Sequence, residues 1–348
     1  MKIKHPGLFF GILFFGAFML VDLCGRPAAQ SQKRAPEIAE AARGMPDPVE
    51  TVTAEAQTVP TERTVTETTT ETTVPPAVPV MLCDGMEYMS DTEELDISGT
   101  DVTALDMDGF LSAMTGLKRI TMKNCGLDND GYAALQDAHP DVRIIWDIRV
   151  KTYTIPTDSV GFSALLGNQY QARLYDSDTK YLKYCCDMVA LDLGHHFVAD
   201  LSFLQYMPNL RILILVDNYS PTGSGVRLSD ISALKYVPHL RYLELFANNI
   251  EDMSVLAELK ELEDLNICYN PVKDSAPLRD LPHLQRLWVY NTMIPADEIR
   301  TLREIYADAR VVTSGSGSVD QGWRDGEHYW AMKNMVSNNV IDDVYRID

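Results

Sequence analysis

The chain has 348 residues, 46% of them hydrophobic, and carries 30 Lys and Arg against 50 Asp and Glu, for a net charge of −20. That balance excludes a nucleic-acid binder, because phosphate recognition needs a basic stripe and no basic run occurs beyond the extreme amino terminus. Six irregularly spaced cysteines include no Cys-x-x-Cys pair, so no zinc site is expected and no disulfide framework is specified.

Lys2 and Lys4 precede the apolar run at residues 7 to 21 (GLFFGILFFGAFMLV), which predicts a signal peptide or signal anchor over 1–26 and hence export. The run is shorter than the roughly 20 residues of a membrane span. Cleavage and retention as an anchor both remain open, and contact with the membrane is expected only through this segment if it is uncleaved. Residues 27–80 turn to Thr, Glu, Pro, Ala and Val, ending TVTETTTETTVPPAVPV. Such a stretch cannot bury a core and predicts a disordered linker that holds the rest off a surface.

Between 81 and 187 lie two long, degenerate copies of a phrase that becomes regular downstream, LDISGTDV from Leu95 and ITMKNCGL from Ile120. Tyr132, Leu135 and Ala138 then recur at helical spacing, and Val142, Ile144 and Trp146 alternate as a strand. Residues 149–187 break the period and predict a strand, a short helix and a turn inserted in the stack.

From 188 to 312 the phrase is explicit: Leu191, Leu213, Leu243, Leu265 and Leu287 open LDLGHHFV, LILVDNYS, LELFANNI, LNICYNPV and LWVYNTMI. The last two steps are each 22 residues. Leucines at the first and third positions of a short strand point to one side, and the residue five places on turns inward as a ladder. Asn218, Asn248 and Asn270 hold that ladder position, with His196 in the first coil. Asp200, Asp230, Asp252 and Asp274 follow, each placed to cap a helical turn. The longer step from Leu213 to Leu243 predicts a rim loop at 219–227. Residues 296–306 then have one apolar helical face, and Arg310 to Val312 reads as a last strand.

These motifs, LxLxxNxI with a DxxxL shoulder, resemble the leucine-rich repeat family, specifically the exported bacterial, internalin-like class with 22-residue repeats. The resemblance covers roughly 188–312 firmly and 94–146 loosely. It implies an α/β repeat solenoid: a horseshoe with a parallel concave sheet, short convex helical turns and a C-terminal cap. It also implies that the concave sheet is the surface offered to partners. Strand parity places Tyr242, Glu244, Phe246, Asp264, Asn266, Tyr269, Arg286, Trp288 and Tyr290 there. Aromatics and an Arg beside acidic groups have the composition of an interface.

The last segment, 313–348, opens with a Ser/Gly linker and continues as an amphipathic tail in which Tyr329, Trp330, Lys333 and Val336 recur at near-helical spacing. It is expected either to fold back as a clasp or to present a docking peptide. The chain therefore reads as an extracellular or envelope-attached protein, not an enzyme, that needs no cofactor or metal and binds another protein through its concave sheet. The alternatives are a structural envelope scaffold whose groove is filled by its own tail, and a glycan-binding or glycan-active surface protein using Asp264 and Glu244.

Overall fold

The structure, a computed structural model, describes residues 76–346 apart from 84, 166–171 and 219–226. The expected signal segment, the linker up to residue 75 and the rim loop at 219–226 lie outside the described residues. Among those described, no helix is long and apolar enough to cross a membrane.

An antiparallel hairpin comes first, β1 (Pro79–Cys83) with β2 (Met86–Met89). It begins inside the stretch expected to be linker, because Leu82 is buried and Tyr88 packs edge-on against Phe110 at 6.2 Å. β3 (Glu94–Asp96), α1 (Met107–Ala113), β4 (Arg119–Thr121), α2 (Asn129–Ala138) and β5 (Arg143–Ile145) follow as two long coils. Their strands form a parallel sheet with Leu95, Ile120 and Ile144 in register. Asp106 and Asp128 start the two helices by accepting the Gly109 and Gly131 N–H groups.

A second hairpin, β6 (Asp147–Val150) with β7 (Tyr153–Pro156), then interrupts the stack. The expected insertion also contains β8 (Gly161–Ser163), which is the first strand of a seven-stranded parallel sheet. Phe162 there pairs with Leu191, so the repeat is disguised by an aromatic and an irregular step rather than abolished. After α3 (Asp176–Thr179) come β9 (Ala190–Asp192), β10 (Ile212–Ile214), β11 (Tyr242–Glu244), β12 (Asp264–Asn266) and β13 (Arg286–Trp288). α4 (Ala296–Ile305) and β14 (Arg310–Val312) close the sheet, and α5 (Glu327–Asn338) lies in the tail.

The five leading leucines stand opposite one another across β9 to β13, all fully buried. On the convex side the connections are tight 3-10 turns, Ser202–Tyr206, Ser232–Tyr236, Ser254–Glu258 and Ala276–Leu278. Each is preceded by its Asp, whose carboxylate accepts the N–H two residues on at 2.8 to 2.9 Å. Two apolar layers result. One fills the coils; the other lies on the concave side, where Ile212, Ile214, Tyr242 and Trp288 pack against Trp323, Met332, Met335 and Tyr345 of the tail.

Candidate functional site: the concave groove and its occupant

Strand pleat sends the residues on either side of each leading leucine to the concave face. Tyr242, Glu244, Asp264, Asn266, Trp288 and Tyr290 are all buried there, and Phe246 and Arg286 are half-buried. Only Tyr269 of the expected set is exposed, at 37%. Of the two fates expected for the tail, the clasp is the one seen: the protein's own C-terminal segment occupies the face expected to meet a partner.

The groove grips that segment by its main chain. Tyr269 Oη donates to the Ser316 carbonyl (3.2 Å), Tyr290 Oη to Gly317 (2.5 Å) and Asn266 Nδ2 to Ser318 (3.4 Å). Trp288 Nε1 donates to the Asp320 carbonyl at 3.0 Å, and Arg286 Nη2 to those of Gly322 and Trp323 at 2.7 and 2.6 Å. The expected Ser/Gly linker is therefore largely bound backbone.

Two side chains of the segment are then buried. Trp323 lies between Tyr242 (4.9 Å between centroids) and Trp288 (5.1 Å), with the Arg286 guanidinium 5.1 Å from its ring. Arg324 donates from Nε and Nη2 to the two Glu244 oxygens, both at 3.2 Å, while Tyr242 Oη donates to Oε2 at 3.1 Å. Burial pushes the Glu244 carboxyl above its ordinary value; the Arg324 guanidinium opposes that rise. Burial likewise raises Asp264, against the Arg286 guanidinium at 2.9 Å. Neither carboxylate lines an open glycan cleft while the tail is seated.

α5 runs on across the groove. His328 bridges the Tyr345 hydroxyl and Glu263 Oε2, the latter at 3.1 Å, and Glu263 also pairs with Arg241 Nε at 2.5 Å. Burial alone would raise Glu263, but Arg241 and then His328 hold it below the usual carboxylate value. Glu263, Glu327 and His328 bring three ligand-type atoms within 4.8 Å of one another, yet Arg241 on the same carboxylate opposes a cation there. At the far end Val160 N–H donates to Asn339 Oδ1 at 2.9 Å, and a Cβ on Gly161 would stand 2.8 Å from Val336 N. The helix face differs from the expected one. His328, Ala331, Met332 and Met335 are buried, whereas Trp330 is 57% exposed beneath Lys333.

The ladder fixes what kind of coil this is. The residue four beyond each leading leucine is left-handed: His195, Asp217, Ala247, Tyr269 and Asn291 have φ between 47° and 60°. The next side chain then points inward. Asn218, Asn248 and Asn270 each donate to a carbonyl of the preceding coil, Leu193, Leu215 and Leu245, at 2.7 to 3.0 Å. Their Oδ1 atoms accept the N–H groups of Val198, Asn218 and Ile250. In the earlier coils the Cys125 thiol donates to the equivalent Ile97 carbonyl at 3.2 Å. His196 takes a lesser part, accepting the Leu174 N–H at Nδ1. These are leucine-rich repeats.

The leucine-rich repeat chain is similar in structure to an internalin C2 from Listeria monocytogenes, with 17% identity, a TM-score of 0.35, and coverage of 63% of this chain and 80% of that one. A second internalin of that species gives 16%, 0.35, 68% and 67%. A leucine-rich repeat protein from Leptospira interrogans gives 16% and 0.33, the match taking in 65% of this chain but 55% of that one. No protein-family model matches the chain, and no curated protein matches it in sequence. The repeat assignment rests on the register, ladder and turn geometry of the chain itself.

Sequence reasoning missed Trp323, Arg324, His328, Glu263 and Cys268 as groove residues. Cys268 is buried on the concave side, while the left-handed turn at Tyr269 sends that ring to the rim. Parity counting fails past the last strand residue because a left-handed residue breaks the alternation. Glu263 precedes β12 and so lay outside the count. The acidic residues recurring on the strands, Asp192, Glu244 and Asp264, were the available signal for a basic partner such as Arg324.

Proposed function

We propose that this leucine-rich repeat protein is exported and envelope-attached, is not an enzyme, and binds a segment of another protein in its concave groove, its own tail occupying the groove in the partner's absence. The observation that carries this is the row of five side chains donating to six main-chain carbonyls between Ser316 and Trp323. Carbonyls turned away from water must be satisfied. Here side chains of the concave sheet satisfy them, as a peptide-binding site does, beside the segment's own 3-10 turn at Asp320–Asp325. Lys2, Lys4 and the apolar run after them support export.

A permanent scaffold is the second reading, favoured by the complete burial of Trp323, Met332 and Met335. Loosening the tail separates the two. Gly161→Ala meets the α5 backbone and Arg324→Glu sets two carboxylates against each other. Cross-linking on intact cells, with mass-spectrometric identification, should show a captured protein increasing several-fold in the double variant and lost when Trp288→Ala is added. A double variant that melts earlier and captures nothing would establish the scaffold instead.

A further inference from the structure

Resting on the reading of the groove as a peptide site, we infer that the partner is a separate protein presenting a Gly-Trp-Arg-x-Gly segment, the pattern this chain carries from Gly322 to Gly326. Each position is selected by a different physical constraint. The Trp position is enclosed: Trp323 is fully buried between Tyr242 and Trp288, so a smaller side chain would leave a void. At the Arg position Glu244 is itself fully buried, and an unpaired carboxylate there is strongly unfavourable. Two parallel donors at 3.2 Å match a guanidinium, which an ammonium cannot imitate.

The glycines are equally constrained. Gly322 has φ of 67°, a left-handed conformation that glycine adopts without strain. A Cβ on Gly326 would collide with the Arg286 guanidinium, which Asp264 holds in place. Upstream, Ser316 and Ser318 are read through their carbonyls, so the serines should tolerate replacement by Ala. Asp320 is different, because its carboxylate accepts the Ser316 and Gly317 N–H groups and shapes the turn. So is Gly315, since a Cβ there would stand 2.8 Å from the Tyr290 ring. With the segment withdrawn, Asp264 would keep Arg286 as its partner, whereas the buried Glu244 would lose the Arg324 guanidinium, leaving a carboxylate complementary to an arginine-bearing ligand.

The test uses the full chain with Arg324→Glu and a labelled peptide of sequence SGSGSVDQGWRDGE, read by fluorescence anisotropy beside hydrogen exchange of the tail amides. The variant should bind the peptide at least tenfold more tightly than the wild-type chain, whose tail competes at high effective concentration. Replacing Trp by Ala or Arg by Lys in the peptide should each cost tenfold or more; replacing its serines by Ala should change little. Gly161→Ala provides a second loosened chain in which the Trp and Arg subsites are intact. Equal binding of the Ala or Lys peptide overturns the proposal, as does no binding when exchange shows the tail free. Tail amides as protected as wild type in both variants also overturn it, since the Arg324 contact would then not hold the segment. A dimer formed by exchanged tails overturns the assignment to a separate protein. If the loosened chain captures a cell-surface protein that the peptide cannot displace, the groove reading stands and the motif alone falls.

Discussion

At the scale of single residues, the ladder shows why asparagine is the recurrent choice and what a substitute forfeits. An amide both accepts an N–H from the preceding coil and donates to one of its carbonyls; an uncharged imidazole in this pose makes one of those bonds, and His196 Nε2 meets no partner among the described residues. Burial, with Arg173 and His195 nearby, pulls the His196 pKa down to about 4 from 6.5. Its folded form therefore resists protonation, so its contribution is intact above pH 6.5 and is lost as the pH falls toward 4. Denaturation in urea at pH 7 and pH 4.5 should show the wild type losing about 2–3 kcal/mol more than His196→Asn, at roughly 1.4 kcal/mol per pKa unit. Equal losses would mean that the ring is solvated.

The convex turns and the tail behave differently as elements. Each 3-10 turn is defined locally, by an Asp two residues ahead of the N–H it accepts, and was legible from the DxxxL spacing. α5 was legible as a helix but not in its orientation, because its sequence carries apolar residues on two faces. Burial chose the face containing His328, since Glu263 and Tyr345 satisfy that ring, and left Trp330 outside. Trp323→Ala should accordingly cost about 3–5 kcal/mol in chemical denaturation, and Trp330→Ala less than about 0.5 kcal/mol. The opposite ranking would place the wrong face of the tail in the groove.

Across the whole molecule there are two apolar layers of different origin. The inner one is built coil on coil, so its stability is a sum over neighbours; the outer one exists only where the tail meets the sheet. Removing residues 319–348 should keep most of the far-ultraviolet circular dichroism while lowering the melting temperature and creating dye-binding apolar surface around Ile212, Tyr242 and Trp288. Collapse of the dichroism would instead mean that both layers form one cooperative core. The solenoid, its register, its ladder and its capped turns follow from local spacing, because each depends on residues within one coil or at a fixed step to the next. The covering of the concave wall follows only from the folded chain. The contact between Arg324 and Glu244 joins residues 80 apart, and no periodicity connects a repeat to a segment that does not repeat.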